Sequence, residues 1–289
     1  MRRAAAPLAA LALSACASSP EPGIPDLTGV EIRTRHVAGP VYMLEATGDV
    51  AGNVAASVGP DGVLLVDTQF AELADELRTA LDALGAGPVR FVVNTHHHLD
   101  HSGGNARLGA EAAIAGAASL AARLADRPAA ARPTVTFRDE LTVTFNGEDV
   151  RLLHLPAAHT DTDVVVHFTR SNVFHLGDLY NAGVHSFPSI DLEAGGTVAG
   201  LIAALDRLVA LIPEDAAVIP GHYELSDLAG LRACRGMVVE TARFVGERKR
   251  AGQSLDAIQA RGLPAAYRNW GRTGYTDAAE WIANLYEAL

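Results

Sequence analysis

The stretch Asn94–Asn105 reads NTHHHLDHSGGN, so His96, His97, His98, Asp100 and His101 fall within six residues. Imidazole nitrogen and carboxylate oxygen are the donors a zinc ion takes, at about 2.0–2.2 Å. His96 and His98 flank one residue, so in extended backbone their rings share a side; Asp100 and His101 follow on the bend. A tetrahedral ion that keeps a position open for chemistry does not need so many donors from one loop. The surplus points to two ions, each completed from elsewhere in the chain. Three later segments offer one donor each, past strand-like runs: His159 in LPAAHTDTD, Asp178 in FHLGDLY and His222 in VIPGHYE. Two adjacent dications acidify a bridging water, and the resulting hydroxide can attack a carbonyl, phosphorus or sulfur centre. No Gly-x-Ser-x-Gly elbow is present, so covalent serine catalysis has no support.

The elements that must position these donors mix strands and helices. GPVYMLEA and NVAASVGPDGVLLVDT read as strands, with PDG between Val58 and Val63 as a hairpin turn. Leu73, Leu77, Leu81 and Leu84 share one helical face that stops at a glycine, with Pro88 beyond. VRFVVN is a short buried strand running straight into the histidine loop, and a helical stretch lies around Leu120. TVTF, LTVTF and VRLLHL look like antiparallel strands, and DVVVHF and NVFHLGDLY are further strands. GGTVAGLIAALDRLVALI is an amphipathic helix with Val198, Leu201, Ile202, Leu205, Leu208, Val209 and Ile212 in register. AAVIPGH is one more strand, and the last ~60 residues read as mostly helical. Helices outside two packed sheets satisfy this order, an α/β (α+β) class. No linker-like break divides residues 31–289, which reads as one domain.

The chain of 289 residues is 49% apolar with a formal charge of −11. That charge repels phosphate backbones, so no nucleic-acid partner is expected. Residues 1–16 have a positive start and an apolar run too short to span a membrane, as in an export signal. Leu13-Ser14-Ala15-Cys16 resembles the bacterial lipobox, which implies cleavage before a lipidated Cys16. Ala17 by the same resemblance implies an outer-membrane anchor on the periplasmic side. Residues 17–30, rich in Pro, Gly and Ser, read as a flexible tether. With Cys16 acylated, Cys234 has no disulfide partner and reads as a buried thiol.

HHHLDH fits the His-x-His-x-Asp-His signature of the metallo-β-lactamase fold superfamily. Asp67 in GVLLVDTQ, His159, Asp178 and His222 are similar to its further motifs, in the family's order across roughly residues 31–230. The resemblance implies a four-layer αββα sandwich and two Zn²⁺ per chain. It implies one ion on His96, His98 and His159, a second on Asp100, His101 and His222, and Asp178 as the bridge. Asp67 would hold the histidine loop by hydrogen bonds. Asp100 would act catalytically, orienting the nucleophile and passing a proton to the leaving group. His97 would face away, and His154, His167 and His175 read as structural. Tyr180, Asn181, His185 and Tyr223, next to the implied ligands, are candidate substrate contacts.

The implied activity is a zinc-dependent hydrolase using a metal-bridging hydroxide on small-molecule ester, lactone, thioester or amide bonds in the periplasm. Asp178 stands where β-lactamases of the superfamily typically carry Cys or Ser, and looks more like hydroxyacylglutathione hydrolases, lactonases and phosphodiesterases. A β-lactam hydrolase and an iron-dependent persulfide-type oxidoreductase are the alternatives.

Overall fold

The computed structural model describes residues 24–289. Cys16, the leader 1–16 and tether residues 17–23 lie outside the described residues.

Among the described residues twelve strands form two sheets. The first is seven-stranded, in chain order: β1 (Ile32–Ala38), β2 (Val41–Ala46), β3 (Val54–Gly59), β4 (Gly62–Val66), β5 (Val89–Val93), β6 (Ala113–Ala117) and β7 (Val135–Phe137). Strands β1 to β4 pair antiparallel and β4 to β7 parallel. The second sheet holds β8 (Glu140–Phe145), β9 (Glu148–His154), β10 (Val164–Phe168), β11 (Val173–His175) and β12 (Ala217–Ile219), with only β11 and β12 parallel. Eight helices accompany them: α1 (Ala74–Ala83), α2 (Leu99–Ser102), α3 (Asn105–Leu108), α4 (Leu120–Arg123), α5 (Val198–Leu211), α6 (Leu228–Arg250), α7 (Leu255–Arg261) and α8 (Ala278–Ala288).

Strand periodicity builds the layers. In β4, Leu64 and Val66 face the second sheet, where they meet Val150, Leu152, Val164, Val166 and Phe168. Val63 and Leu65 alternate to the other face and pack on Leu77 and Leu81 of α1. A strand covered on both faces is a continuous apolar run, as GVLLV is. In β10, Val165 turns outward onto the layer of Leu205, Leu231, Met237 and Trp281 from α5, α6 and α8. The result is helix, sheet, sheet, helix. Thr197, Asp227, Ser254 and Asp277 start α5 to α8 by accepting amide hydrogen bonds from the first turn, which fixes where each helix begins.

Three expectations change. TVTF is not an antiparallel neighbour of LTVTF: β7 pairs parallel with β6 in the first sheet, and the second sheet begins at β8. Its partner AIAGA, four small residues around the single Ile114 without alternation, carries little strand signal of its own. The helix around Leu120 is a single turn. Packing starts before Glu31, because Ile24, Leu27 and Val30 cover Phe70 and Leu73; part of the segment read as tether lies on the domain.

Candidate metal centre

Asp67 follows β4, the histidine loop follows β5, His159 follows β9, Asp178 follows β11 and His222 follows β12. Strand ends on two packed sheets thus aim their loops at one edge of the sandwich. Asp67 takes a left-handed backbone (φ 67°), rare for a residue with a side chain. That turn aims its carboxylate at the next strand's end. Oδ1 accepts the Thr95 amide at 2.7 Å, and Oδ2 accepts the Thr95 hydroxyl at 2.6 Å and His101 Nδ1–H at 2.8 Å.

Those bonds decide ring tautomers. The Thr95 hydroxyl has spent its proton on Asp67, so it accepts from His96 Nδ1–H at 3.1 Å and leaves a lone pair on His96 Nε2. His101 gives its Nδ1–H to Asp67 and turns Nε2 toward the carboxylates of Asp178 and Asp100. His159 donates Nδ1–H to the Ser189 carbonyl at 2.8 Å and keeps Nε2 free.

The free nitrogens converge. His98 Nδ1 lies 3.0 Å from His96 Nε2 and 3.1 Å from His159 Nε2. In a second group, Asp100 Oδ2 lies 3.4 Å from His101 Nε2 and 3.3 Å from His222 Nε2. Asp178 sits between the groups. Its Oδ1 is 3.1 Å from His101 Nε2 and 3.4 Å from His222 Nε2, and its Oδ2 is 3.8 Å from His159 Nε2. His101 Nε2 and Asp178 Oδ1 are buried and lie beside each other without hydrogen-bond geometry. Unpartnered buried polar atoms are costly, and here they are donor atoms turned toward a common point. The donor set therefore fits metal ions: the nitrogens of His96, His98 and His159 with a carboxylate oxygen of Asp178, and Asp100, His101 and His222 as another trio. Gly221 allows the last approach, since a Cβ there would stand 2.0 Å from Asp178 Oδ1.

The two groups carry different charge. Burial, reinforced by the neighbouring imidazoles of His101 and His98, holds His96 well below its usual pKa, and burial takes His159 down to about 4. Burial would also lower His222, but the carboxylates of Asp178 and Asp100 push it up to about 9. His101 is raised in the same way by Asp100, Asp178 and Asp67 against its burial. Burial opposes the ionised forms of Asp100 and Asp178, yet His101 and His222 hold both carboxyls well below the usual range.

The remaining candidates divide. His97 turns from the cluster, with Nδ1 3.3 Å from the Thr162 hydroxyl, and burial takes its pKa down to about 4. Tyr180 has its ring buried in the helical-side core, its hydroxyl pairs with Ser226 Oγ at 2.7 Å, and burial raises it to about 12. Asn181 is buried beside the His222 backbone with its Oδ1 unpartnered. His185 is the exposed one, stacked on Tyr223 at 4.9 Å, with Nδ1 3.0 Å from the Thr273 hydroxyl. Tyr223 itself is buried, in a left-handed turn (φ 71°). His154 meets the carbonyls of Arg138 and Asp161, His167 stacks on Phe174, and His175 meets the Asn53 carbonyl.

Two residues escaped the sequence. Tyr275 stands edge-on to His222 with ring centres 5.2 Å apart, half-exposed, and its hydroxyl donates to the Asp49 carbonyl of the β2–β3 loop. Nothing in GRTGYTD foretells that the C-terminal segment returns to the centre. Asp191 accepts from His98 Nε2 at 3.0 Å. Burial would raise its carboxyl, but this bond and the Ala194 amide hold it below its usual value. Its faint signal was an aspartate shortly before Gly195-Gly196.

Comparison with known proteins follows the same outline. Residues 47–222 match the family described as the metallo-beta-lactamase superfamily. A hydroxyacylglutathione hydrolase of Gloeobacter violaceus is 37% identical over 145 residues, covering 50% of this chain and 49% of the relative. One from Acidiphilium cryptum is 34% identical over 181 residues, covering 62% and 68%. The chain thus spans about half the length of the first of these relatives and two thirds of the second. A metallo-beta-lactamase from Pontibacter korlensis superposes with a TM-score of 0.62 at 21% identity, over 72% of this chain and 99% of that one. The inverting sec-alkylsulfatase Pisa1 from Pseudomonas sp. superposes at 0.71 and 15% identity, over 89% and 50%. At those identities the likeness is one of fold.

Proposed function

This chain belongs to the metallo-beta-lactamase superfamily, and from that membership we propose that it is a dinuclear zinc hydrolase of small-molecule esters, lactones, thioesters or amides. The observation that carries the reading is the placement of Asp178 between two trios of donors, one oxygen toward each. His96, His98 and His159 would hold one ion, Asp100, His101 and His222 the other, and Asp178 both. Bound there, two zinc ions would supply a water acidified to near neutrality and positive charge for the oxygen of the attacked bond.

The chain's own residues do the rest. Asp100 is the more open of the two cluster carboxylates, 22% exposed against 10% for Asp178. It can orient the attacking group and hand a proton to the leaving group. His185 and Tyr275 form the open aromatic side of the centre, where an organic group can lie. The chain's only lysine, Lys249 on α6, donates to the Tyr286 carbonyl on α8, so anionic substrate groups find no ammonium from lysine at the centre. Thioesters lead the panel because the curated relatives are named hydroxyacylglutathione hydrolase.

The test is chain purified without added metal, analysed for metal and assayed on thioesters, lactones, carboxylic esters, β-lactams, phosphodiesters and sulfate esters. About two zinc ions and chelator-sensitive hydrolysis are expected. About one iron with oxygen uptake on persulfides would replace the reading by an oxidoreductase. The proposed setting is the periplasmic face of the outer membrane through a lipid on Cys16; Cys16→Ala should release the protein from membranes, and unchanged retention refutes the anchor.

A further inference from the structure

We propose that the segment 189–196 is a clip that decides which ring nitrogens His98 and His159 present to the metal, with Asp191 as the positioning residue for His98. The proposal rests on the metal-dependent reading above.

A neutral imidazole carries one ring proton and one lone pair, and a metal takes the lone pair. His96, His101 and His159 bond their Nδ1–H to protein and turn Nε2 toward the centre. His98 is inverted: Nδ1 faces His96 and His159, and Nε2 faces the Asp191 carboxylate. Without a carboxylate at Nε2, nothing in its contacts prefers that tautomer. Asp191 draws the proton to Nε2 and leaves the lone pair on Nδ1, where the other two nitrogens converge.

The carboxylate is itself fixed. Its Oδ1 accepts the Ala194 amide at 2.8 Å, its backbone amide donates to the His159 carbonyl at 2.9 Å, and its carbonyl accepts the Gly196 amide at 2.8 Å. Two residues earlier, the Ser189 carbonyl takes the His159 Nδ1 proton. One short segment thus grips two of the three histidines of a trio through the nitrogens that the metal does not use. The grip needs glycine: a Cβ on Gly196 would lie 2.2 Å from the His159 carbonyl oxygen, and Gly195 has φ 80°. His97 also lies within reach of His98 and Asp191. A further cation there would require His98 to give up its ring proton, which makes that arrangement the competing outcome of the test.

The experiment compares wild type, Asp191→Ala and Asp191→Asn as full chains, with folding checked by circular dichroism. Zinc is titrated against a chelator, and the loaded proteins are examined by imidazole ¹H–¹⁵N spectra. In Asp191→Ala one of the two ions should bind about 10- to 100-fold more weakly. Asp191→Asn, whose amide oxygen accepts the same bond, should recover most of that loss. In the wild type one ligand histidine should carry its proton on Nε2, and that signature should vanish in Asp191→Ala. Unchanged affinity in Asp191→Ala, or Asp191→Asn as weak as Asp191→Ala, overturns the proposal. So does a third ion in the wild type that alone is lost with Asp191. A wild-type chain that binds no metal takes down the hydrolase reading itself, and the proposal with it.

Discussion

The trio His96, His98 and His159 and the trio Asp100, His101 and His222 lie on opposite sides of Asp178, yet they are built on opposite principles. In the first, burial keeps His96 and His159 neutral, with His159 at about 4. The second matches imidazoles to carboxylates, with His222 pushed up to about 9. The supports differ as well. Asp67 behind His101 has no exposed side-chain surface and hangs from the core strands, whereas Asp191 behind His98 is 28% exposed and rides on a loop. In the metal-free chain the first trio is therefore a set of buried neutral rings at His96 and His159, joined by a His98 that a partly exposed loop carboxylate braces. The second is an ion-paired network locked into the fold.

The largest effect expected is on what the two sides share. Asp178→Ala removes the carboxylate common to both, and metal content should fall from about two to about one with hydrolysis down by roughly 1,000-fold or more. Full metal content and full activity in that variant would dissolve the pairing. Next comes the contrast between the supports. Asp67→Ala strands buried donors on Thr95 and His101 and should cost about 3–5 kcal/mol of stability, read as a lowered denaturant midpoint. Asp191→Ala should shift that midpoint by under about 1 kcal/mol, as suits a partly exposed pair. Equal losses would erase the difference between core-borne and loop-borne support.

Proton release separates the trios more finely. His222 is raised from 6.5 to about 9, so its contribution to the metal-free chain is fully present below pH 6.5 and is lost as pH rises through 9. Metal entering the second trio at pH 7 must displace those protons, and metal entering the first displaces none from His96 or His159. Calorimetric titration in buffers of different ionisation enthalpy should show one binding event releasing more protons than the other; two alike would contradict the contrast between His222 and the pair His96 and His159. The smallest effect concerns Tyr275→Phe, which cuts the hydroxyl bond to Asp49. A loss of about 0.5–1.5 kcal/mol and a KM rise of a few-fold at unchanged kcat are expected, and a collapse in kcat would make the hydroxyl part of the chemistry.

Much of this could be read in the chain because the signals were local. Runs such as GVLLV and the leucines of α1 carry their own periodicity, and five donor-bearing segments each sit at the end of a strand-like run. The rest was non-local. The small residues of β6 are a strand because β5 and β7 flank them. Tyr180, one residue from the Asp178 turn, points into the core because the backbone turns there toward α6, where Gly230 leaves room for its hydroxyl. Tyr275 reaches His222 only because the segment 271–276 is hydrogen-bonded to Val184, His185 and Ser186.

Residue identity and order alone determined the alternation of strands and helices and the stock of imidazoles and carboxylates at strand ends, since both depend on neighbours a few positions apart. Tertiary structure decided which nitrogen each ring offers, which histidines stay neutral, and which carboxylate stands behind which ring. Those depend on burial and on partners such as Asp67 and Asp191, 34 and 93 positions from the rings they hold, and only the folded sandwich sets such distances.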